Sequence, residues 1–432
     1  MISPSVLSLL PFLAALSPSS HYATAQNENE YRAIVNAQLT NNHIIPFIGL
    51  GVGNAEHEDI PSMLSKSFGK PHLDYHLIDT ARASENEELI ATTLSEKFST
   101  TQQQHVHVVT KVWYTHLGYD RTKLSVTESL ADLEPDVFVH VLLHWPRCDD
   151  HVEWMNCQQE EDDLPDHVKD AGPSPLNEPD IFLDSWKALE ELYLQYDEIA
   201  SIGVSNFGVQ DWRLLLENCN IVPHIHQGDI WSYFNKPSLR SILEEHRVMF
   251  QAYNVMHGII ANLENLKKVN DRLNEIATEI HVEKVSTLIL AWMLQNKMGV
   301  VFMSTDENHI EENSPYVVGM VKQFEPEVSD ELRDLIFLAV GGHDDISEIE
   351  GLKAAGVQVT FFNELEKDVK VYWVDGNEKL VHVDEVAAKG DTSLGSHPGH
   401  QFVVKENDES EALHTFEVTV DYGGYEEFFV EL

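Results

Sequence analysis

The sequence predicts a parallel α/β barrel followed by a small all-β sandwich. Three observations predict it. Eight apolar β-type runs alternate with amphipathic helical patterns from about residue 43 to 335; the runs end in polar residues that a barrel would gather on one rim; and the last 78 residues alternate in short strands with no helix between them. Strand–helix alternation favours a parallel sheet, and eight such units favour its closure.

The chain has 432 residues, with 28 Lys and Arg against 72 Asp and Glu, a net charge of −44. A surface this acidic repels phosphate backbones, so no nucleic-acid partner is expected. Residues 5–16 (SVLSLLPFLAAL) are too short to span a bilayer. With Ala23-Thr24-Ala25 before Gln26, they read as a signal peptide over 1–25 and a secretory or extracellular destination. The n-region has no Lys or Arg, so a plain apolar leader on a cytoplasmic protein is the alternative. No later segment is apolar enough to span a membrane. The three cysteines give no disulfide framework, although Cys148 and Cys157 are placed to close one loop.

In chain order, residues 43–53 (HIIPFIGLGVG) form the first strand. Its glycines lack the third member of a dinucleotide fingerprint, and no βαβ unit precedes them. Strand patterns recur at 76–81, 106–113, 137–146, 199–207, 221–230, 247–256 and 298–304. SVTESLADL, DSWKALEELYLQY and VSTLILAWMLQN carry apolar residues at three- and four-residue spacing, as helices packed on a sheet require. Asp79 with Thr80, Lys111, His144, Ser205 with Asn206, Gln227 and Tyr253 stand at the ends of successive strands. Each alone has a bland explanation as a surface charge, a bonded core histidine or a packing ring. Together on one face they point to a binding site. Residues 147–180, with EEDDLPD and several prolines, form an acidic insertion that reads as a solvated loop.

Through IDTA, TKVW, ESLADL, HWP, DSWKALEEL, IGVSNFG, HQGDI and EEN, residues 43–335 resemble an aldo-keto reductase. The resemblance implies a TIM (β/α)8 barrel over 31–340 that binds NADP or NAD without a glycine-rich loop and acts on a small carbonyl or alcohol substrate. Asp79, Lys111 and His144 match three of that family's four catalytic positions. Ser84 stands at the fourth, where the family has its proton-donating tyrosine. Ser205, Asn206 and Gln227 match the groups that hold the nicotinamide carboxamide, Tyr253 the ring that stacks on it, and Ser304, Glu312 and Asn313 the retained part of the adenosine-end motif. Met303 and His309 replace the lysine and arginine that clamp the 2′-phosphate. No metal site is expected. These departures leave two functions open: an oxidoreductase weakened at its proton donor, with His144 as imidazolium taking part of that role, or a catalytically inactive barrel acting as a scaffold.

GGHDDISEIEG lies in a linker-like stretch, 341–354, ahead of a sandwich over 355–432. The string VTFFNELEKDVKVYWVDGNEKLVHV, with GSHPGHQFVV after it, resembles the β domain of the von Hippel-Lindau tumour suppressor, which reads hydroxyproline in a peptide. Trp373, Ser396 and His400 match its pocket region. Phe402 replaces a tryptophan and Val381 falls at the pocket tyrosine, departures that favour a general protein- or peptide-binding surface.

Overall fold

In a computed structural model, the chain is described at residues 28–99, 105–133, 137–149, 152, 154–342, 357–374, 379–396, 400–407, 410–418 and 425–430. The expected signal peptide lies outside these residues, as does the expected linker beyond Gly342.

Eight parallel strands close a barrel: β1 (Ile48–Gly51), β2 (Leu77–Asp79), β3 (His107–Val112), β4 (Phe138–Leu143), β5 (Ile199–Ser205), β6 (Ile225–Asp229), β7 (Met249–Tyr253) and β8 (Gly299–Phe302). They pair in chain order, and β8 returns to β1 through Val300↔Ile48. All eight expected runs are barrel strands. The first is split, however. Ile44–Pro46 pairs antiparallel with Asn36–Gln38 in a hairpin outside the barrel, and only Ile48–Gly51 joins it. Proline has no N–H for a ladder, so the chain changes partner there: the Phe47 N–H donates to Val35 and its carbonyl accepts from Val300 at 2.7 Å.

The three helical patterns form the helices Tyr119–Leu133, Phe182–Gln195 and Val285–Gln295. In the first, Thr122, Val126, Ser129 and Leu133 are buried on one face. The third is buried at every position from Thr287 to Leu294, because the helices Pro315–Gly319 and Pro326–Gly341 cover its outer side. Pro315 and Pro326 occupy first-turn positions, where the missing N–H costs nothing. Gly342 ends the last helix at φ 73°, a left-handed cap. Among the described residues no helix is long and apolar enough to cross a membrane.

The insertion after β4 is structured. Cys148 and Cys157 form a disulfide with Cα atoms 5.8 Å apart, and the helices Cys157–Asp163 and Asp166–Ala171 follow. Glu161 receives a two-pronged bond from the buried Arg121 guanidinium, 2.9 Å on each arm. The solvated loop expected here is therefore a cross-linked, ion-paired element.

Beyond the barrel the described residues form seven strands: β9 (Val357–Asn363), β10 (Val369–Val374), β11 (Leu380–Val386), β12 (Asp391–Ser396), β13 (Gln401–Lys405), β14 (Ala412–Glu417) and β15 (Tyr425–Val430). They form two sheets, β12-β9-β15 and β11-β10-β13-β14, around Phe361, Phe402, Val371 and Val404. Pairing is antiparallel except between β9 and β15. The sandwich also touches the barrel: Phe362 joins the barrel's core, and Phe362 and Phe429 stack 5.1 Å apart beneath the Arg213 guanidinium, which lies 3.9 Å from the Phe429 ring and pairs with Glu364.

The fold holds uncharged histidines on the barrel strands and, at His116, on the turn after β3. His107 Nδ1 lies 3.0 Å from His140 Nε2, and His140 Nδ1 lies 2.7 Å from the Ser201 hydroxyl. Burial pushes His107 and His226 down to about 3 and His116 to about 4, and holds His140 well below the usual range. Each folded-state pKa lies below the unfolded value of about 6.5, so the unfolded chain binds more protons in acid. Stability from these groups should be full above about pH 6.5 and fall as pH drops from there toward 3. Urea unfolding at pH 7, 5.5 and 4.5 should show a falling midpoint, and His140→Gln should reduce the slope.

Candidate active site

A cavity of about 830 Å³ opens at the C-terminal ends of the strands, lined by Asp79, Ser84, Lys111, His144, Asn206, Gln227, Tyr253 and Met303 among others. Its floor is set by charge. Lys111 and Asp79, on adjacent strands, are both buried, and the ammonium donates to Asp79 Oδ1 at 2.8 Å and to the Thr80 carbonyl at 2.7 Å. Gln227, from β6 across the barrel, donates to the same carboxylate oxygen at 2.7 Å and to Gln251 Oε1 at 2.8 Å. A buried charge pair persists only if further hydrogen bonds satisfy it, and these groups supply them.

His144 follows β4, its ring 4.8 Å from Trp113 and edge-on to it. Burial first, and the Lys111 cation second, hold its imidazole well below its ordinary pKa. The imidazolium role expected for it therefore fails at neutral pH: the ring is neutral. Its Nδ1 is buried with no partner among the described residues.

Ser205 and Asn206 end β5. Asn206 sits at φ 61°, a left-handed conformation that asparagine tolerates. Its Nδ2 donates to the His144 carbonyl at 3.0 Å and to Ser205 Oγ at 3.2 Å, and its Oδ1 accepts from the Tyr253 hydroxyl at 2.7 Å. Burial, then the Asp229 carboxylate, raise the Tyr253 phenol above its usual pKa, so it stays protonated. These bonds use the Asn206 Nδ2 group as a donor and leave a second lone pair on its Oδ1.

Ser84 lies on the short 3-10 turn Arg82–Ser84, and its carbonyl meets the His57 ring at 3.1 Å. A side chain at Gly53 would press within 3.2 Å of the Ser84 hydroxyl, so glycine keeps that side open. Thr80 and Asn86 bond to each other, and Asn86 holds the Val52 carbonyl at 3.0 Å, which fixes the turn to β1.

Ser304, Glu312 and Asn313 lie on the loop and helix after β8, outside the cavity lining. Asp306 caps the helix Glu307–Glu312, accepting from Asn308 N at 2.8 Å and His309 N at 3.2 Å. Met303 is 49% exposed. The neighbouring cations are engaged: Lys66 with the Thr305 carbonyl, Lys70 with Glu307 and Glu311, Lys284 with Glu312. Asn313 is buried, and its Oδ1 has no partner among the described residues.

On the sandwich, Trp373 and His400 lie 5.3 Å apart, and Ser396 Oγ is 3.1 Å from His400 Nδ1. The three expected residues do meet.

Sequence reasoning did not single out Trp113, Trp145, Trp154, Gln251 or Asp306. Trp113 lies two residues after Lys111, and Trp145 directly follows His144. Trp154 comes from the insertion, where no periodic pattern marked it. No cluster of His, Cys, Asp or Glu suited to a metal occurs among the described residues.

A closed eight-stranded parallel barrel with a cavity at the C-terminal ends of its strands is the layout of an α/β-barrel enzyme. The chain belongs to the aldo/keto reductase family, whose family model matches residues 71–334. It is 27% identical over 283 residues to glyoxal reductase of Bacillus subtilis, covering 64% of this chain and 85% of that protein. It is 28% identical over 276 residues to a 9,11-endoperoxide prostaglandin H2 reductase of Trypanosoma cruzi, covering 64% and 83%. Among solved structures it is similar to an aldo-keto reductase complexed with NADPH, at TM-score 0.57 and 22% identity, over 69% of this chain and 87% of that one.

Proposed function

We propose that the cavity is a nicotinamide-dependent carbonyl reductase site that has lost its phenolic proton donor and favours NAD(H) over NADP(H). The observation that carries this reading is the Asp79–Lys111 pair beside a neutral His144, with Ser84 as the lining residue where the family's tyrosine stands. The names of the relatives, among them glyoxal reductase, support small carbonyl compounds as substrates.

The residues fit a nicotinamide at one end. Ser205, Asn206 and Gln227 would hold its carboxamide, Tyr253 would pack on its ring, and Asn313 would offer its unpartnered oxygen at the adenosine end. When bound, the reduced ring supplies a hydride. They do not fit a 2′-phosphate: Met303 and His309 stand where two cations are expected, and the Asp306 carboxylate already takes the amides at that helix start.

Hydride addition would leave negative charge on the carbonyl oxygen, which Lys111 and neutral His144 would stabilise as hydrogen-bond donors until water protonates it to the alcohol. Serine is too weak an acid and too short to replace the phenol. Loss of a general acid costs about 10²–10⁴ in rate.

Calorimetric titration should give tighter binding of NADH than NADPH; a clear preference for NADPH at neutral pH and moderate salt would overturn the cofactor reading. Ser84→Tyr should raise glyoxal reduction about 10²-fold or more, since Lys111 beside the restored phenol lowers its pKa. Adding Lys111→Met should remove the gain. A Ser84→Tyr protein that binds cofactor with no gain would favour an inactive barrel acting as a scaffold, the reading that Ser84, Met303 and His309 also support.

For the sandwich we propose peptide binding at Trp373, Ser396 and His400, supported by the Trp373 Nε1 that is buried without a partner among the described residues. Titration with a proline-containing peptide and its hydroxyproline counterpart, read by tryptophan fluorescence, should show binding of both that Trp373→Phe weakens. Absence of binding for both peptides would count against the site.

A further inference from the structure

Carbonyl reduction consumes a proton as well as a hydride, and at the inner end of the cavity no group of this chain is a ready acid. Lys111 is committed to Asp79, and losing a proton would leave that carboxylate buried without its cation. His144 is neutral, and a neutral imidazole is a far weaker acid than an imidazolium. Burial holds the Tyr253 phenol above its usual pKa, and its O–H is given to Asn206. His257, the other imidazole in the lining, follows β7, which lies opposite β3 in the closed barrel. Ser84 offers only an alcohol.

The cavity nevertheless keeps a place for an acid. The Lys111 ammonium spends two of its three N–H groups on Asp79 and Thr80, which leaves the third at the cavity wall. Around Ser84 the lining residues are small: Gly53, Ala81 and Ala83. The backbone is not free to close in on this space. Arg82, two residues before Ser84, is bonded to Glu87 at 2.9 Å, to Glu128 at 3.0 Å and to Asp132. The Ser84 N–H donates to the Ala81 carbonyl at 3.0 Å, and the Ser84 carbonyl meets His57. Asn86, bonded to Thr80 and to the Val52 carbonyl, ties the far side of the turn to β1. A turn pinned at both ends cannot move inward to fill the cavity beside its short side chain.

We propose that the cavity beside Ser84 is a binding site for a phenol brought in by the ligand: its ring lies against Gly53, Ala83 and Ser84, and its hydroxyl accepts the third N–H of Lys111 and donates the proton that carbonyl reduction consumes. This rests on the reductase function proposed above. The hydride and its electron pair go to the carbonyl carbon, the C=O π pair moves to oxygen, and the phenol O–H bond breaks to protonate that oxygen. The phenolate left beside Lys111 takes its proton back from water. An adjacent ammonium favours the phenolate, so the phenol is a stronger acid there than in bulk solution. The hydroxyl comes either on a separate molecule or on the carbonyl compound itself.

4-Methylphenol and 1,4-dimethylbenzene have nearly the same shape and differ in the hydroxyl. Their binding to the full chain is measured by calorimetry without cofactor, so this readout does not depend on turnover. The phenol should bind about tenfold more tightly or better, the worth of one hydrogen bond to a charged group. Ser84→Phe and Gly53→Val fill the site from two sides, since a side chain at Gly53 points at the Ser84 hydroxyl, and each should weaken phenol binding about tenfold or more. With glyoxal and whichever reduced nicotinamide cofactor binds more tightly, 4-methylphenol should raise the parent's rate about tenfold or more and saturate where its binding does. The hydrocarbon should leave the rate unchanged. Faster reduction of 2-hydroxybenzaldehyde than of 2-methoxybenzaldehyde without added phenol, lost in Ser84→Phe, supports a hydroxyl carried by the carbonyl compound; a gain only with added 4-methylphenol supports a separate molecule. No preference for the phenol over the hydrocarbon overturns the inference, as does phenol binding that both variants retain, or a measurable parent rate that bound phenol leaves unchanged. A parent that binds the phenol as expected and reduces no carbonyl compound removes the reductase function and the proton transfer with it, and leaves the phenol-binding site standing.

Discussion

The site depends on one buried ion pair. Asp79 and Lys111 sit side by side on β2 and β3, and a lone charge in either place would be expelled or neutralised. The pair dictates its surroundings. Gln227 must come from across the barrel to complete the carboxylate's bonds, Gln251 must lie behind Gln227 to accept its second N–H, and the Thr80 carbonyl must turn toward the ammonium. His144 then faces a fixed cation in a dry setting, which keeps its ring neutral. Closure of the barrel is what brings β2, β3, β6 and β7 close enough for these bonds, so fold and electrostatics fix each other.

Much of this was legible in the sequence, because a barrel strand writes its inward and rim residues into a short string. IDTA, TKVW, HWP, VSNF and HQGD each carry an apolar run and its polar end together, so Asp79, Lys111, His144, Asn206 and Gln227 were found with their strands. The less legible parts involve partners that are distant in sequence. Gln251 is one polar letter within an apolar run and gains meaning only opposite Gln227. The break at Pro46 looked like the middle of a strand because the flanking residues are apolar on both sides, and the change of partner is decided by Asn36–Gln38 on one side and β8 on the other. The neutrality of His144 could not be read either, since burial is a property of the assembled barrel.

The insertion shows the same limit most clearly. EEDDLPD reads as a solvated acidic run, yet Glu160 and Glu161 are its anchors: one caps the Trp113 and Tyr114 donors, the other neutralises a guanidinium that the fold has already buried. Charge runs are ambiguous because the letters are identical whether the carboxylates face water or a buried cation. What distinguishes them is Arg121, forty positions earlier on the helix after β3.

Under the proposed function, the departures from the family pattern fall at two separated places: Ser84 at the end that would meet the substrate, and Met303 and His309, with the Asp306 cap between them, at the end that would meet a 2′-phosphate. Between them, Asp79 is bonded to Lys111 and Gln227, and Asn206 to Tyr253. A barrel relieved of all function has no need of a buried ammonium with two partners or of an asparagine held at φ 61° by three hydrogen bonds, since replacing a buried ion pair by well-packed apolar residues is often neutral or stabilising. Their retention beside an open cavity is the physical argument that something still binds at this rim.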